Sequence, residues 1–313
     1  MKNNLHTILI TGSTGTIGSR LIEFFIAQQR FHIIAITRDN TKTSKIKNLE
    51  YIYISKNLKF DYTEVCKKID SIIHLASTNS KYSFENPFDA FQVNCIETGK
   101  LYEAALKSNV SKFIYFSTAH IYGEFKGDID ELTCSNCKHA YATSHRSAED
   151  LIIALSKSNQ IDTIIIRLSN SFGVTNSINS EDLLINDLTK QAARENNLHL
   201  KSKINLTRNF ITLTDVCRAT LHFINLSSTS KIEIYNLGGE KSFTLYEIAQ
   251  FIKKRSDIKF LQNSKIVYPE GFNINESHLF NYNISKIKNS GFRLISNFEE
   301  EIDLLLDNYK EFE

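Results

Sequence analysis

Residues 8–18 read Ile-Leu-Ile-Thr-Gly-Ser-Thr-Gly-Thr-Ile-Gly, which spaces Gly12, Gly15 and Gly18 evenly between an apolar strand-like run and a helical one. The helical run carries apolar residues at Ile17, Leu21, Ile22, Phe25 and Ile26, the spacing of one buried face. Few folds accept a strand that turns this tightly into a helix. Strand-like runs recur at residues 32–37, 51–54, 71–76, 112–117 and 162–168, with helical patterns at 87–108 and 140–157. This repeated strand–helix–strand order predicts a parallel sheet covered on both faces. After about residue 172 the pattern loosens. Helices are expected over 182–195, 215–224, 244–255 and 298–309, and a short strand over 209–211.

In a loop of this kind the first glycine permits the turn and the second lets the backbone approach a pyrophosphate. The third allows close packing of the helix on the strand. The helix start adds free N–H groups and a positive dipole. Gly12, Ser13, Thr14, Gly15, Thr16, Ile17 and Gly18 are therefore candidate dinucleotide contacts. The fold is read as an α/β, Rossmann-type doubly wound parallel sheet with a smaller mixed α/β C-terminal lobe for substrate. The first domain is expected over 1–173, with 206–236 returning to it, and the second over 174–205 and 237–313. The second strand ends Thr37-Arg38-Asp39. Thr37 stands where an acidic residue commonly takes the adenosine ribose, and Arg38 follows it. A neutral residue plus an arginine suits a 2′-phosphate, so NADP is favoured over NAD. The alternative has Arg38 stacking on adenine and Asp39 taking the ribose.

Two further segments carry chemistry. One is Ser117-Thr118-Ala119-His120-Ile121-Tyr122-Gly123 at a strand end, and the other is Tyr141-Ala142-Thr143-Ser144-His145 on a helix. Together with His74-Leu75-Ala76, Asn94, Arg167 with Asn170 and Gly173, Arg208 with Phe210, Ile211 and Asp215, and Tyr235-Asn236 with Gly238, they carry a family likeness. The chain resembles the extended short-chain dehydrogenase/reductases, the nucleotide-sugar epimerases and dehydratases, from residue 7 to about residue 309. The resemblance implies a nicotinamide cofactor touching Leu75, Ala76, Asn94, Tyr141 and His145. It implies hydride transfer at a sugar carbinol, with Tyr141 passing the proton and Thr118 holding the same oxygen. Asn170 and Arg208 would contact the nucleotide diphosphate. The same resemblance implies a homodimer in which helices 87–108 and 140–157 pair in a four-helix bundle. A surface salt bridge is the alternative for Arg208, and plain packing is the alternative for Tyr141 and Thr118.

The chain departs from that family in ways that bear on chemistry. The family pattern is Tyr-x-x-x-Lys, and His145 stands where the lysine belongs. The i, i+4 spacing keeps Tyr141 and His145 on one helix face. A full charge ~4 Å from the phenol is worth roughly 4 kcal/mol at an effective dielectric near 20, or about three pKa units. A histidine still bonds the ribose but is mostly uncharged near neutral pH. A tyrosine left protonated is an acid rather than a base, which favours reduction; an oxidised nicotinamide ring restores part of the field. Ala119-His120 replaces the Asp-Glu pair of the 4,6-dehydratases, which argues against water elimination. His120 serves as acid/base, bonds a sugar hydroxyl, or packs away from the sugar. His278 stands near a common diphosphate arginine, and Asn283 replaces a common aspartate. Thr118-Ala119-His120 with Tyr-x-x-x-His is similar to the C4 dehydrogenases of GDP-heptose in capsule pathways. Thr37-Arg38-Asp39 is similar to 4-keto reductases that make deoxysugars.

Composition narrows the function classes. Lys plus Arg is 37 and Asp plus Glu is 35, a net charge of +2, too small for a nucleic-acid binder. No apolar run approaches the ~18 residues of a membrane span, and the N-terminus lacks the pattern of a signal peptide, so a cytoplasmic protein is expected. Five cysteines do not suggest a disulfide framework. Cys134 and Cys137 lie near His139 and His145, but a zinc site needs four converging ligands, and no metal is expected. The first reading is an oxidoreductase acting at C4 of a nucleotide sugar in surface-polysaccharide precursor synthesis. The second is a 4-epimerase. The third is a non-catalytic redox sensor that keeps the dinucleotide fold, an idea that rests on His145.

Overall fold

The structure, a computed structural model, describes residues 5–55, 60–156, 161–177, 183–227, 231–274 and 278–311. It divides into two compact units. The first comprises Met1–Gly123, Cys134–Leu168 and Thr220–Tyr235; the second comprises Glu124–Thr133, Ser169–Ala219 and Asn236–Glu313. This differs from the boundaries read from sequence. Residues 124–133 join the second unit, and the segment returning to the first is Thr220–Tyr235 rather than 206–236. The division falls inside the helix Leu213–Asn225, because packing sets it and periodicity along one helix does not report it.

The first unit is built on a seven-stranded sheet. Its first five strands are β1 (His6–Thr11), β2 (Phe31–Thr37), β3 (Leu49–Tyr53), β4 (Ser71–His74) and β5 (Lys112–Thr118). Asp162–Leu168 and Ile232–Leu237 complete it. The order is β3-β2-β1-β4-β5, then Asp162–Leu168, then Ile232–Leu237. The first six strands pair in parallel throughout. The direction of winding reverses between β1 and β4, the place where open parallel sheets bind ligands at their C-terminal ends. The strands are apolar on both faces, as a sheet covered on both sides requires. On one face Leu9, Ile72, Phe113 and Tyr115 pack with Leu101, Tyr102, Ala148 and Ile152 of the flanking helices. Each large apolar side chain among them, such as Leu9, Ile72 or Phe113, contributes about 1.5–3 kcal/mol on burial. At the N-terminal end of β5 the Lys112 ammonium is itself buried. It donates to Phe223 O at 2.7 Å and to Leu226 O, and pairs with Asp162 Oδ2 at 3.1 Å.

The helical patterns sit where the sequence suggests, with one informative exception. Helix α1 spans Thr16–Ala27, and a second long helix spans Ala140–Leu155; Lys157, expected to end the latter, lies outside the described residues. The stretch expected to be one helix over 87–108 is α-helical at Pro87–Phe91, winds as a π-helix at Gln92–Ile96, and resumes as an α-helix at Glu97–Lys107. The π segment turns Asn94 inward, and its side chain then meets both Thr78 and Ser144. Apolar spacing runs through the stretch without a break, so the sequence shows no sign of it.

In the second unit Asn170–Phe172, Thr207–Thr212 and Ser242–Thr244 form a three-stranded sheet. The helices Leu184–Glu195, Leu245–Phe260 and Phe298–Glu311 pack through Leu188, Ala192, Ile248, Ile252, Leu305 and Leu306. Asp182, the expected start of the first of these, lies outside the described residues. Thr244 and Glu247 close a capping box on the second. Short strand pairs, Gly127–Ile129 with Phe280–Tyr282 and Asn197–His199 with Lys265–Val267, join segments far apart in sequence. Among the described residues no helix is long and apolar enough to cross a membrane.

Candidate active site

The loop after β1 is shaped by its own backbone. Gly12 has φ +66°, and a Cβ there would lie 2.7 Å from the Leu75 carbonyl carbon and 2.8 Å from the Ala76 nitrogen. At Gly18 a Cβ would lie 2.2 Å from Gly12 O. The third glycine therefore lets the helix close on its own loop, a tighter contact than the helix–strand packing expected from sequence. At Gly15 the nearest atom to an added Cβ is Gly12 O at 3.3 Å, so a side chain would mainly fill the space in front of the loop. Among the described residues no side chain caps α1, and the positive end of its dipole faces the loop. Ser13 is turned inward and donates to Ile36 O at 2.6 Å, while Thr14 is exposed and Thr16 and Ile17 are half-buried.

The end of β4 is bolted to the end of β1. Thr11 Oγ1 accepts from Leu75 N and Ala76 N, both at 3.2 Å, so its own proton goes to His74 Nδ1 at 2.6 Å. Thr98 donates to Asn94 O at 2.7 Å and so accepts from His74 Nε2 at 2.7 Å. These bonds leave His74 neutral with its proton on Nε2, and burial holds its pKa down to about 3. Leu75 and Ala76 are thereby held against Gly12. Asn94 is buried; its Oδ1 accepts from Thr78 N at 2.8 Å and its Nδ2 donates to Ser144 Oγ at 3.0 Å. Its amide ties this loop to the helix Ala140–Leu155. At the end of β2, Thr37 is buried and accepts from Asp39 N at 3.0 Å. The Asp39 carboxylate is taken up by Thr41, through its N–H at 2.9 Å and its hydroxyl at 2.6 Å. Arg38 is exposed, and among the described residues no hydrogen bond or ion pair engages it.

The second cluster lies at the end of β5, where Thr118 caps the 3-10 turn Ala119–Tyr122 by accepting from His120 N at 3.2 Å. Thr118 also hydrogen-bonds the Tyr141 phenol. Burial raises the Tyr141 pKa, and the Thr118 bond opposes that only in part. Three imidazoles surround the phenol ring, with centroid distances of 4.6 Å for His145, 5.9 Å for His120 and 6.1 Å for His139. His145 is 2% exposed. Its Nδ1 pairs with the Tyr115 hydroxyl at 2.8 Å, and its Nε2 is buried with no hydrogen-bond partner among the described residues. Burial, with smaller contributions from His74 and His120, pulls its pKa down to about 3, so the ring is neutral near pH 7. Behind the cluster Glu149, fully buried, accepts from Ser117 Oγ at 2.5 Å and Arg167 Nη2 at 2.8 Å. Arg167 Nη1 in turn donates to Tyr122 Oη at 3.0 Å. This network fixes the strand end, the 3-10 turn and the helix relative to one another.

Sequence reasoning missed His139, Glu149 and Tyr115. In sequence His139 reads only as a neighbour of the cysteines, yet it is the N-cap of the helix Ala140–Leu155, accepting from Ala142 N at 3.3 Å. Its position just before a helix was the available signal. Cys137 contacts Ile121 O at 3.6 Å and Cys134 is exposed; among the described residues no three potential ligands cluster for a metal. The predicted diphosphate contacts lie in the second unit. Asn170 gives its amide to Asn209 O at 3.0 Å. Arg208, half-buried, lies with its guanidinium 5.7 Å from the Phe125 ring centroid, and among the described residues no salt bridge engages it. His278 is exposed, and its backbone carbonyl accepts from Thr207 Oγ1.

The open face of the Gly15 loop and the unpartnered Nε2 of His145 both fit a dinucleotide cofactor. The glycine loop and Leu75-Ala76 would hold its phosphates and backbone, and His145 a hydroxyl near its reactive end. Comparison with known proteins agrees with this reading of the fold. The human dTDP-D-glucose 4,6-dehydratase is 27% identical over 273 residues, covering 82% of this chain and 77% of that protein. The Bacillus cereus UDP-glucuronic acid 4-epimerase, solved with UDP-glucuronic acid and NAD, superposes with a TM-score of 0.83 at 22% identity, covering 98% of this chain and 100% of that one. MoeE5, solved with UDP-glucose and NAD, gives 0.82 at 18% identity, covering 98% and 99%. Residues 8–238 match the NAD dependent epimerase/dehydratase family, and the chain belongs to it, among extended short-chain dehydrogenase/reductases that modify nucleotide sugars.

Proposed function

We propose that this enzyme reduces a 4-keto nucleotide sugar, moving a hydride between a nicotinamide cofactor and C4. The observation that carries the reading is the neutral, buried His145 beside a Tyr141 whose pKa burial has raised. In that setting Tyr141 holds its proton near pH 7 and delivers it to the sugar oxygen as a general acid. Thr118, bonded to the same phenol, orients the oxygen that receives the proton. When bound, the cofactor supplies the hydride exchange at the carbon. His120, at the mouth of the turn, bonds a sugar hydroxyl or relays the proton. Arg208 and Asn170 take the diphosphate, Arg208 because among the described residues no carboxylate pairs with its charge.

NADP is favoured over NAD because Arg38 is uncommitted while Thr41 occupies the Asp39 carboxylate that would take a ribose. Water elimination is disfavoured by Ala119, buried and inert, and by His120 where dehydratases carry Asp-Glu. The likeness to the human dehydratase pulls weakly the other way. A homodimer through Pro87–Phe91, Glu97–Lys107 and Ala140–Leu155 is supported by exposed apolar residues there, Phe88 at 89% and Ile153 at 41%. Light scattering tests it, and a monomer mass at micromolar concentration overturns it. The test of function is mass spectrometry of the small molecule released on denaturation, followed by NADPH consumption with 4-keto nucleotide sugars. Net consumption supports the reductase. Retained NAD with inversion at C4 and no net consumption makes the enzyme an epimerase instead.

A further inference from the structure

We infer that Tyr115 is a positioning residue that locks His145 in the tautomer carrying its proton on Nε2, so that a neutral imidazole N–H donates to the bound dinucleotide where the family uses a lysine. This rests on the reading above that the Tyr141–His145 end receives a dinucleotide.

The argument is one of counting protons. Tyr115 is 2% exposed, and among the described residues its hydroxyl has one hydrogen-bond partner, His145 Nδ1 at 2.8 Å. That bond forms in two ways. If Nδ1–H donates, the Tyr115 proton is left buried without an acceptor, and Nε2 is also left without a donor. If Tyr115 donates, the sole orphaned nitrogen is Nε2–H, a donor ready for an acceptor oxygen. The second arrangement leaves fewer buried polar groups unmatched before binding and leaves no donor unmatched after it. The surroundings favour a neutral ring in either case. His74, His120, Tyr115 and Tyr141 face it, His74 is itself held neutral, and Glu149, one turn further along the same helix, is engaged by Arg167. A lysine needs no such lock, because an ammonium presents a proton in every rotamer. Tyr115 lies three residues before Thr118 on β5, so the lock belongs to the strand that also presents the oxygen-holding hydroxyl.

The first test is a long-range proton–nitrogen spectrum of histidine-labelled protein, with the His145 signals assigned by their loss in His145→Gln. The expected result is an unprotonated Nδ1 and a protonated Nε2 from about pH 5.5 to 8. A protonated Nδ1 overturns the inference. In Tyr115→Phe the His145 signals should move toward the other tautomer, and unchanged signals overturn it. The second test is a binding cycle with NADPH and NADH. Tyr115→Phe should weaken binding of the preferred cofactor about tenfold in the natural chain, the loss of one well-placed hydrogen bond. In a His145→Lys background it should change binding less than about twofold. An equal loss in both backgrounds means that Tyr115 is merely structural. If Tyr115→Phe does not fold, the spectrum of the natural protein decides. Neither test uses a sugar, so a chain that turns over no nucleotide sugar would defeat the proposed reaction and leave this inference to its own result.

Discussion

The two ends of β5 bury polar groups for different ends. At its start, each of the three protons of Lys112 has an acceptor, in Phe223 O, Leu226 O and Asp162. At its finish Thr118 and His145 are buried and Tyr141 half-buried, yet among the described residues His145 Nε2 has no partner. A lysine buried with all its bonds made is a fixture of the fold, and taking it away leaves acceptors stranded. An imidazole buried with one bond missing is held at a standing cost that a ligand can relieve. Asp162 Oδ1, at the structural end, is also buried without a partner among the described residues, so neither burial nor a missing bond marks function alone; His145 Nε2 is set apart by its place beside Tyr141 and Thr118.

The comparison can be broken or sharpened by experiment. The largest effect is expected at the chemical end: Tyr141→Phe should lower kcat about a thousandfold, or about 4 kcal/mol, with cofactor affinity nearly unchanged. Rapid-mix kinetics beside cofactor titration separate the two quantities, and a kcat within about tenfold of the natural chain's would remove Tyr141 from proton transfer. Next comes acid. His74 and His145 have folded pKa values of about 3 against an ordinary 6.5, so the unfolded chain takes up protons that the folded one refuses. Their contribution to stability is complete above about pH 6.5 and is lost as pH falls from there toward about 3. At pH 5 each will have lost about 2 kcal/mol relative to pH 8. Urea unfolding at the two pH values reads the sum, and His145→Gln should halve it.

Lys112→Met tests the other end. It should cost about 3 kcal/mol of stability and leave kcat where it was, because it strands Asp162 and two carbonyls far from the chemistry. A fall in kcat in the folded variant would mean that the two ends of β5 are not independent. Gly18→Ala, which sets a Cβ against Gly12 O, should weaken cofactor binding about thirtyfold with little change in bound-state kcat. The smallest effect is expected from Arg38→Ala, about a tenfold loss of preference for NADPH over NADH, measured as a ratio of affinities. No change in that ratio would leave NADP without support.

The sequence made the shape-based parts of the site plain and the environment-based parts obscure. Gly12, Gly15 and Gly18 are readable because a backbone that must pass close to another backbone excludes side chains, and exclusion leaves a spacing. The strands of the first unit are readable because burial on both faces leaves runs of Ile and Phe. Tyr115 is not, since its role depends on a helix residue across the packing interface, and a tyrosine in such a run looks like core. His139 and Glu149 were obscured in the same way, by partners at a distance. The second unit was blurred for a related reason. Its short strand pairs, such as Gly127–Ile129 with Phe280–Tyr282, are too brief for periodicity and too far apart for local rules.

The π segment at Gln92–Ile96 has a consequence for anyone who would edit this chain. Glu97 N–H reaches back to Gln92 O, so the two flanking α-helices run out of phase by one residue. Each residue of an α-helix advances the face by about 100°. Deleting one residue there would yield a smoother and more regular helix, the kind of change that stability-guided redesign rewards. It would also swing Asn94 away from Thr78 and Ser144 and unhitch the cofactor loop from the helix that bears Tyr141. In this enzyme the irregular turn is the gear tooth that keeps two parts in step, and straightening it would disengage them.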